Sequence, residues 1–529
     1  MTGTPNFNGK RVVGSMPILK KRANSDLICL AAVVLFTLVV QLFFISPPIM
    51  SDDMEYYFWA TRFPNMPESP SHWSLRTGLI LPVAVLYRIF GHAELVYYTV
   101  PVLSVLALTC GTYWLGSRLF NRRVGFIAAI WLITIPNFLK ESSLLLPDIP
   151  ATACVVIGFC ILSSMSNRLV EDRSGETRSH SPWWFFLAGV FFGWAYLIKE
   201  YYLLFLLVIP FAFLFFMLPW KRVIFLAAGM AAAFSIEAIL GLVLYGNPLI
   251  RLMTAEPRET WGFIERDFLR IVGFFPRLIR QQGGQGSLWL VMVGLAAMIT
   301  GLLKKDWKLT FFAVWVSITY GLFTSAALLP IAFSWEGEVL LRLHKFRYWI
   351  LILPPLFIAG VSGLEWAIQW LITKSGRLKK GGKIAVSAIL GTLFVFSTVV
   401  AMLGIHDFPN LIRNGADHYL ELREFLEDHA DRDDLIWINR DTKVAFERIL
   451  PIYREDFFGD TVWFGETRYL NTDGQYLRED ELTDGWVIID RYFFKTDFQR
   501  IPEYLENPPD NWVLVFESEN KEIAIYEVN

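Results

Sequence analysis

Acidic side chains crowd one short stretch of this sequence, immediately after its first long apolar run. In "SDDMEYYF", which spans 51–58, Asp52, Asp53 and Glu55 fall within four positions. A carboxylate beside a membrane can take the proton from a hydroxyl nucleophile. Acidic residues that follow a first helix can also be solvated loop residues without a function. The choice depends on which groups the rest of the chain brings to the same side.

Isolated charges also stand at the ends of later apolar runs. Lys199 lies with Glu200 between two apolar stretches, and a lysine in that setting is costly unless it has a partner. Asp148 follows a proline and opens a predicted helix, where helix capping is the alternative to a functional role. Both residues are candidates for a site at the membrane boundary.

A basic cluster precedes the apolar run that begins near 348. Arg342, His344, Lys345 and Arg347 all lie in "SWEGEVLLRLHKFRYW". Snorkelling near a helix end would account for one or two of them. Four such groups on the non-cytoplasmic side run against the usual charge bias, so we predict that they hold an anion.

The composition predicts the elements that must position these residues. Of the 529 residues, 54% are hydrophobic and 19% are charged, and the mean hydropathy is +0.41. Repeated apolar runs of about 20 residues predict an α-helical polytopic membrane protein. The net charge of −2 does not indicate a nucleic acid partner. The four cysteines lie in apolar runs, without the spacing of a disulfide framework or a zinc site.

Basic residues orient the predicted helices. The basic amino terminus and a retained first helix place the start of the chain in the cytoplasm. About 11 spans then put every short Lys/Arg-rich loop on the cytoplasmic side, provided that the apolar block 183–220 is split at Lys199 and Glu200. All the charged candidates then lie outside, in a multi-pass protein of the inner or plasma membrane.

Three regions follow from these patterns. We expect a cytoplasmic basic segment over 1–26, a transmembrane catalytic domain over 27–404 and a small soluble extracytoplasmic α/β domain over 405–529. The last contains "GADHYLELREFLEDHADRDD", which predicts an amphipathic helix. It also contains predicted strands at "DLIWIN", "TVWFG", "GWVIID", "NWVLVF" and "IAIYEV", of which the final two form a hairpin. In the first outer loop, "SHWSLRTGLILPVAVLYRIFG" has a helical apolar face that is too short to span easily and predicts an interfacial helix.

Carboxylates and cations on one face suit a transfer from a phosphate leaving group to a hydroxyl. The carboxylate would accept the proton of the hydroxyl. Arginine and lysine would stabilise the charge on the departing phosphate. The sequence has no nucleotide-binding glycine loop, which favours a lipid-activated donor over a nucleotide.

The motifs resemble the GT-C superfamily of integral membrane glycosyltransferases, in the branch of protein O-mannosyltransferases and lipid A aminoarabinose transferases. "DDMEY" at 52–56 is similar to an Asp-Glu-x-x-Tyr element, with aspartate in place of the glutamate. "LLPDIPATA" supplies an acidic residue, Asp148, after the third helix. "IKE" loosely matches a Thr-Lys-Gly-like turn but lacks the glycine after Lys199. "FRYWILILPPLFIAG" is similar to a late helix that starts with Arg-Tyr, here Arg347 and Tyr348.

The resemblance implies a polyprenyl-phosphate sugar donor and inversion at the anomeric carbon. It implies that Asp52 is the general base or orients the acceptor, and that Asp53 supports it or engages the substrate. The substrate-binding residues that it implies are Asp148, Lys199, Arg342, His344, Arg347 and Tyr348, of which the cations contact the donor phosphate. No metal is expected to be required, although a divalent metal is left open because related branches differ.

Other functions fit parts of the sequence. A transporter or flippase of a lipid-linked saccharide would also have about a dozen spans, but its ionisable residues usually lie near the bilayer midplane. A glycan polymerase or ligase is a further alternative, and a sensor would lack a cytoplasmic output domain. The expected partners are the sugar donor, membrane lipids and a glycan, lipid or protein acceptor. The sugar, the acceptor and the polyprenyl carrier stay open.

Overall fold

The computed structural model describes most of the chain, with gaps. The described residues are 16–45, 48, 52–68, 70–91, 94–169, 181–254, 285–328, 346–374, 382, 384–385, 388–389, 391–392, 417–430, 433–440, 442–444, 446, 466–472, 475–491 and 501–528. The predicted site residues Arg342 and His344 lie outside them, as do the predicted strand "TVWFG" and most of the predicted span near 384.

Helices account for nearly all of the described chain up to residue 374. They are α1 (Met16–Phe43), α2 (Asp52–Arg62), α3 (Thr77–Phe90), α4 (Glu94–Leu119), α5 (Arg122–Ile133), α6 (Pro136–Ser142), α7 (Asp148–Ser164), α8 (Pro182–Ile198), α9 (Ile209–Phe215), α10 (Val223–Tyr245), α11 (Ile250–Met253), α12 (Gln285–Lys304), α13 (Trp307–Leu328) and α14 (Leu353–Lys374). Three 3₁₀ segments, Glu200–Val208, Trp220–Arg222 and Phe346–Ile352, precede α9, α10 and α14.

The predicted spans coincide with these helices as far as the one that begins near 348. In the described residues, four helices are long and apolar enough to cross a membrane, or five if one bent pair counts as a single span. Five shorter apolar helices accompany them. The exact number of 11 spans therefore stays a prediction.

One predicted span is bent. The run from Val124 to Phe138 is divided into α5 and α6, whose axes meet at 71°. Ile135 is extended and Pro136 begins α6. A proline disfavours the helical conformation of the residue before it, which explains the break.

The acidic stretch, which was expected in a loop, begins helix α2. Asp52, Asp53 and Glu55 occupy its first turn, where the helix dipole favours negative charge. Met54 and Tyr57 are buried on the same helix, and α3 packs against both α2 and α8. The carboxylates are therefore anchored to the helical body.

Two glycines let α8 and α10 approach closely. A Cβ added at Gly189 would lie 2.0 Å from the carbonyl oxygen of Leu226, and one at Gly229 would lie 2.0 Å from that of Phe186. Small residues at such contacts are typical of membrane helix pairs. The contact ties α10 to α8, the helix that ends next to Lys199.

An aromatic cluster centred on Phe159 holds α7 in place. Its ring centroid lies 5.1 Å from that of Phe192, 5.7 Å from Phe205 and 4.7 Å from Trp315. The pairs with Phe192 and Phe205 are edge-to-face, and pairs of this kind contribute about 0.5–1.5 kcal/mol each beyond area burial. The cluster joins α7 to α8, α13 and the Glu200–Val208 segment, and so fixes the helix that begins at Asp148.

The carboxyl-terminal part contains a helix, α15 (Asp417–His429), and a mixed sheet. The strands are β1 (Leu435–Ile438), β2 (Glu466–Tyr469), β3 (Asn471–Thr472), β4 (Gln475–Tyr476), β5 (Gly485–Asp490), β6 (Val513–Glu517) and β7 (Ile523–Val528), and a short helix, α16 (Glu503–Glu506), precedes β6. The order of the main sheet is β2-β1-β5-β7-β6, and β3 pairs separately with β4. The predicted hairpin is present, because β6 and β7 pair antiparallel.

Both faces of this sheet are covered by apolar side chains. Leu422 and Leu426 of α15 lie in one buried cluster with Ile436, Ile438 and Ile488. The alternating residues Trp437, Val487 and Ile489 lie in a second cluster with Leu505 and Trp512. This alternation is expected of strands buried on both faces. That 405–529 forms a separate soluble domain stays a prediction.

Candidate active site

Asp52 lies at the start of α2 with both carboxylate oxygens held. Its Oδ2 is 2.7 Å from Nη2 of Arg347, and its Oδ1 accepts a hydrogen bond of 3.0 Å from Nε1 of Trp73. The side chain is 27% exposed, whereas that of Arg347 is 6% exposed. Asp52 is thus oriented by two partners and still accessible from outside the protein.

A buried ion pair lies next to Asp52. Nζ of Lys199 is 2.5 Å from Oδ1 of Asp148, and their side chains are only 4% and 1% exposed. Nε of Arg347 is 3.9 Å from Oδ2 of Asp148. Helix capping alone does not account for Asp148, since its carboxylate contacts two cations. Arg347 lies between two carboxylates and joins the ion pair to Asp52.

Tyrosines surround the Lys199 ammonium group. The rings of Tyr201 and Tyr348 have their centroids 4.7 Å and 4.3 Å from Nζ, within the range of cation–π attraction. The Tyr201 hydroxyl donates a 2.9 Å hydrogen bond to Oδ1 of Asp148, and that of Tyr202 donates one of 3.0 Å to the Asp148 carbonyl oxygen. Tyr201 and Tyr202 were not among the predicted site residues, although "KEYY" places them directly after the predicted turn.

A helix break places Lys199 in the site. Helix α8 ends at Ile198, Lys199 has extended dihedrals (φ −152°, ψ 120°), and a 3₁₀ segment begins at Glu200. The helix break therefore falls at the charged pair where the sequence divides the 183–220 block, and its separation of two membrane spans stays a prediction. The extended residue interrupts the helix between two apolar segments, and its side chain points to Asp148.

Asp53 is held by a different partner. It is fully buried, and its Oδ2 accepts a 2.6 Å hydrogen bond from the Tyr97 hydroxyl. The backbone N–H of Leu145 in turn donates to the Tyr97 oxygen at 3.3 Å. Asp53 therefore links α2 to α4 and to the segment before α7, which positions its neighbour Asp52.

A second charged network adjoins the Lys199 turn. Glu200 lies 2.8 Å from Nη2 of Arg251 and 3.8 Å from Nη2 of Arg76, and Glu237 lies 3.2 Å from Nη1 of Arg251. Arg76 also donates a hydrogen bond to the hydroxyl of the buried Tyr56. None of these residues was among the predicted site residues, yet Glu237 is the only charged residue in 223–245. A lone carboxylate in an apolar helix indicates a buried cationic partner.

Burial and charge determine how these groups titrate. Burial, opposed by Asp148 and aided by the nearby Arg76 and Arg347, lowers the pKa of Lys199 to about 8. Burial would raise the pKa of Glu200, but Arg76 and Arg251 outweigh it and lower that pKa to about 2. Burial also raises the pKa of Tyr56. At neutral pH the site thus contains an ionised Glu200 and a Lys199 whose charge is sensitive to mild alkali.

The structure brings together most of the predicted site residues. A continuous set of contacts connects Asp52, Arg347, Asp148, Lys199 and Tyr348, and Asp53 is the chain neighbour of Asp52. Within the described ranges, no group of three or more His, Cys, Asp and Glu side chains is placed to hold a metal ion; the metal requirement stays a prediction. In this arrangement a partly exposed carboxylate can accept a proton. The two buried cations beside it can bind an anion.

Comparison with known protein families gives one match. Residues 81–240 match the family described as dolichyl-phosphate-mannose-protein mannosyltransferase. No curated protein sequence matches the chain.

Solved structures resemble the chain over nearly all of its length. ArnT from Cupriavidus metallidurans in the apo state superposes with a TM-score of 0.56, over 96% of this chain and 98% of its own, at 12% identity. The same protein bound to undecaprenyl phosphate gives 0.55, over 94% and 97%, at 12% identity. The Archaeoglobus fulgidus oligosaccharyltransferase in the apo form gives 0.51, over 95% and 74%, at 12% identity. The predicted resemblance to the GT-C superfamily is confirmed, and the chain is a multi-pass helical membrane protein.

Proposed function

We propose that this protein of the GT-C fold moves a sugar from a polyprenyl-phosphate donor to an acceptor hydroxyl outside the cytoplasm, with inversion. The observation that supports this most directly is the continuous set of contacts Asp52–Arg347–Asp148–Lys199. In this set, a carboxylate that is accessible to substrate lies close to two cations that are buried from water. Both kinds of group are needed for transfer from a phosphate leaving group.

Each group has one step in the proposed reaction. Asp52 accepts the proton of the acceptor hydroxyl while the hydroxyl oxygen attacks the anomeric carbon from the face opposite the phosphate. The bond between that carbon and the phosphate oxygen breaks, and its electron pair stays on the phosphate. Lys199 and Arg347 stabilise this charge. A single displacement inverts the anomeric centre and leaves the lipid phosphate as the second product.

Two comparisons favour an isoprenoid donor. The matching family is described by its use of dolichyl-phosphate-mannose, and ArnT has been solved with undecaprenyl phosphate. The proposed site lies at helix ends, the level at which a lipid phosphate would sit. The predicted orientation, with a cytoplasmic amino terminus and an extracytoplasmic carboxyl-terminal region, puts these helix ends outside. The sugar and the acceptor, whether glycan, lipid or protein, are left open.

One reconstituted system distinguishes the transferase hypothesis from the flippase hypothesis. Purified protein in vesicles should transfer label from a polyprenyl-phosphate sugar to acceptors in an envelope extract, and mass spectrometry should detect a new glycosidic bond. Movement of the labelled lipid across the vesicle without such a bond would instead support the flippase. Mass spectrometry of glycans and lipids from a strain without the protein would identify the acceptor.

Donor use should weaken as the pH rises through about 8. The charged form of Lys199 binds the phosphate, and burial lowers its pKa to about 8; binding is therefore complete below that pH and is lost above it. We expect kcat/KM for the donor to fall by about tenfold per pH unit above this value. The descent of kcat should occur at higher pH, because bound phosphate stabilises the ammonium form.

Lys199→Arg is the matched control for this pH profile, since an arginine stays protonated throughout the range. That variant should lose the descending limb near pH 8 even if its absolute activity is lower. Persistence of the same limb would assign the titration to another group.

A further inference from the structure

One buried arginine holds both sides of the Lys199 turn. Nη1 of Arg251 donates to the carbonyl oxygen of Leu197 at 3.1 Å and to Oε1 of Glu237 at 3.2 Å. Its Nη2 donates to Oε2 of Glu200 at 2.8 Å. The Arg251 side chain is 8% exposed, and its guanidinium lies 4.9 Å from the ring centroid of Tyr196.

These acceptors lie on both sides of Lys199. The Leu197 carbonyl belongs to the last turn of α8, where carbonyls have no partner within the helix. Glu200 is the next residue after Lys199, and Glu237 belongs to α10. Because α10 packs on α8 through Gly189 and Gly229, Arg251 attaches the turn to an element that is itself fixed.

A guanidinium is suited to this task. It presents several donors in a rigid plane, whereas an ammonium group is a compact charge on a flexible stem. A lysine at position 251 could reach one or two of the three acceptors but could not hold them in one plane. The extended residue between α8 and the 3₁₀ segment would then lose part of its restraint.

We propose that Arg251 is a positioning residue for donor binding, which fixes residues 197–200 so that the Lys199 ammonium stays where the donor phosphate meets it. This rests on the proposed function, because it needs Lys199 to bind that phosphate. Arg251 acts through Lys199 and does not touch the reacting atoms.

A double-mutant cycle tests this, with undecaprenyl phosphate as the probe and its affinity for the protein in detergent micelles as the readout. Arg251→Lys should weaken binding by about tenfold, and Lys199→Met should weaken it more. The double variant should bind no more weakly than Lys199→Met alone, because without Lys199 the turn has nothing to position. The KM for the acceptor should be unchanged in Arg251→Lys.

Two results would overturn the proposal. Losses that add in the double variant would mean that Arg251 contacts the phosphate itself. A higher acceptor KM together with a lower melting temperature would mean a general structural role. Full affinity in Lys199→Met would contradict the proposed role of Lys199 in binding the phosphate. That result is distinct from additive losses in the double variant, which would contradict only the role of Arg251.

Two further variants keep the test interpretable. Glu237→Gln removes one charge from the network and should weaken the binding of undecaprenyl phosphate less than Arg251→Lys does. This effect should disappear when Lys199→Met is also present. If it persists, the proposal is wrong, and this test holds even when Arg251→Lys does not fold. Arg122→Lys is the matched control, since Arg122 pairs with Asp26 away from the site. It should leave the affinity for undecaprenyl phosphate unchanged.

Discussion

Asp52→Asn should reduce sugar transfer by about 10²–10⁴-fold, the usual contribution of a general base. The amide has nearly the same shape and can still accept the Trp73 hydrogen bond, but it cannot take a proton from the acceptor. Initial rates of the purified variant with a polyprenyl-phosphate sugar would measure the loss. The amount of protein inserted in the membrane should be unchanged, because Asp53 and the buried face of α2 stay intact.

Donor affinity separates the loss of a base from the loss of the site. In Asp52→Asn, Arg347 loses its ionic contact of 2.7 Å and becomes more available to an anion. The affinity for lipid phosphate should therefore stay the same or rise. Full transfer activity in this variant would remove Asp52 as the base.

Asp26→Asn is the matched control for this substitution. Asp26 also pairs with an arginine, Arg122, but its side chain is 50% exposed. Exposed pairs contribute about 0–1 kcal/mol to stability. This variant should keep both its activity and its donor affinity.

Asp148→Ala should lower the free energy of unfolding by about 3–5 kcal/mol, as expected when one partner of a buried ion pair is removed. The 4% exposed Lys199 would be left without its carboxylate partner. Arg347 would lose one of its two carboxylate partners. Thermal unfolding in detergent would show this as a lower melting temperature.

A second substitution distinguishes stability from activity. Asp148→Ala combined with Lys199→Met removes both charges of the pair, so most of the lost stability should return. Sugar transfer should not return, because the phosphate lacks its lysine. A double variant as unstable as Asp148→Ala alone, or a single variant with unchanged stability, would contradict the assignment of a buried pair.

The sequence was informative where charge interrupts apolar runs. Lys199 could be selected because an isolated lysine between apolar runs needs a partner. Asp148 could be selected at its helix start, and Arg347 from a basic cluster on the side where the charge bias disfavours one. Their order along the chain and their common side indicated one site, and the structure places them in contact. The break at Lys199 could be predicted from charge balance, and the bend before α6 carried a signal in Pro136.

Other features depend on contacts that no local pattern specifies. The acidic stretch becomes a helix, α2, whose buried side packs on α3. Arg251 meets Glu200, 51 residues away, through the packing of α10 on α8 and the return of the chain after α10, which no local sequence pattern specifies. Tyr201 and Tyr202 were missed since adjacent tyrosines in an apolar run look like ordinary interfacial packing.

Arg347 couples Asp52 to Asp148, because it contacts both carboxylates. One guanidinium is shared by the carboxylate that would activate the acceptor and the carboxylate that holds the second cation. An anion that draws Arg347 towards itself would weaken its hold on Asp52 and so raise the proton affinity of that group. Binding of the donor phosphate would then make Asp52 a stronger base for the acceptor hydroxyl. A substitution of Asp52 or Asp148 would also change the environment of the other carboxylate through Arg347.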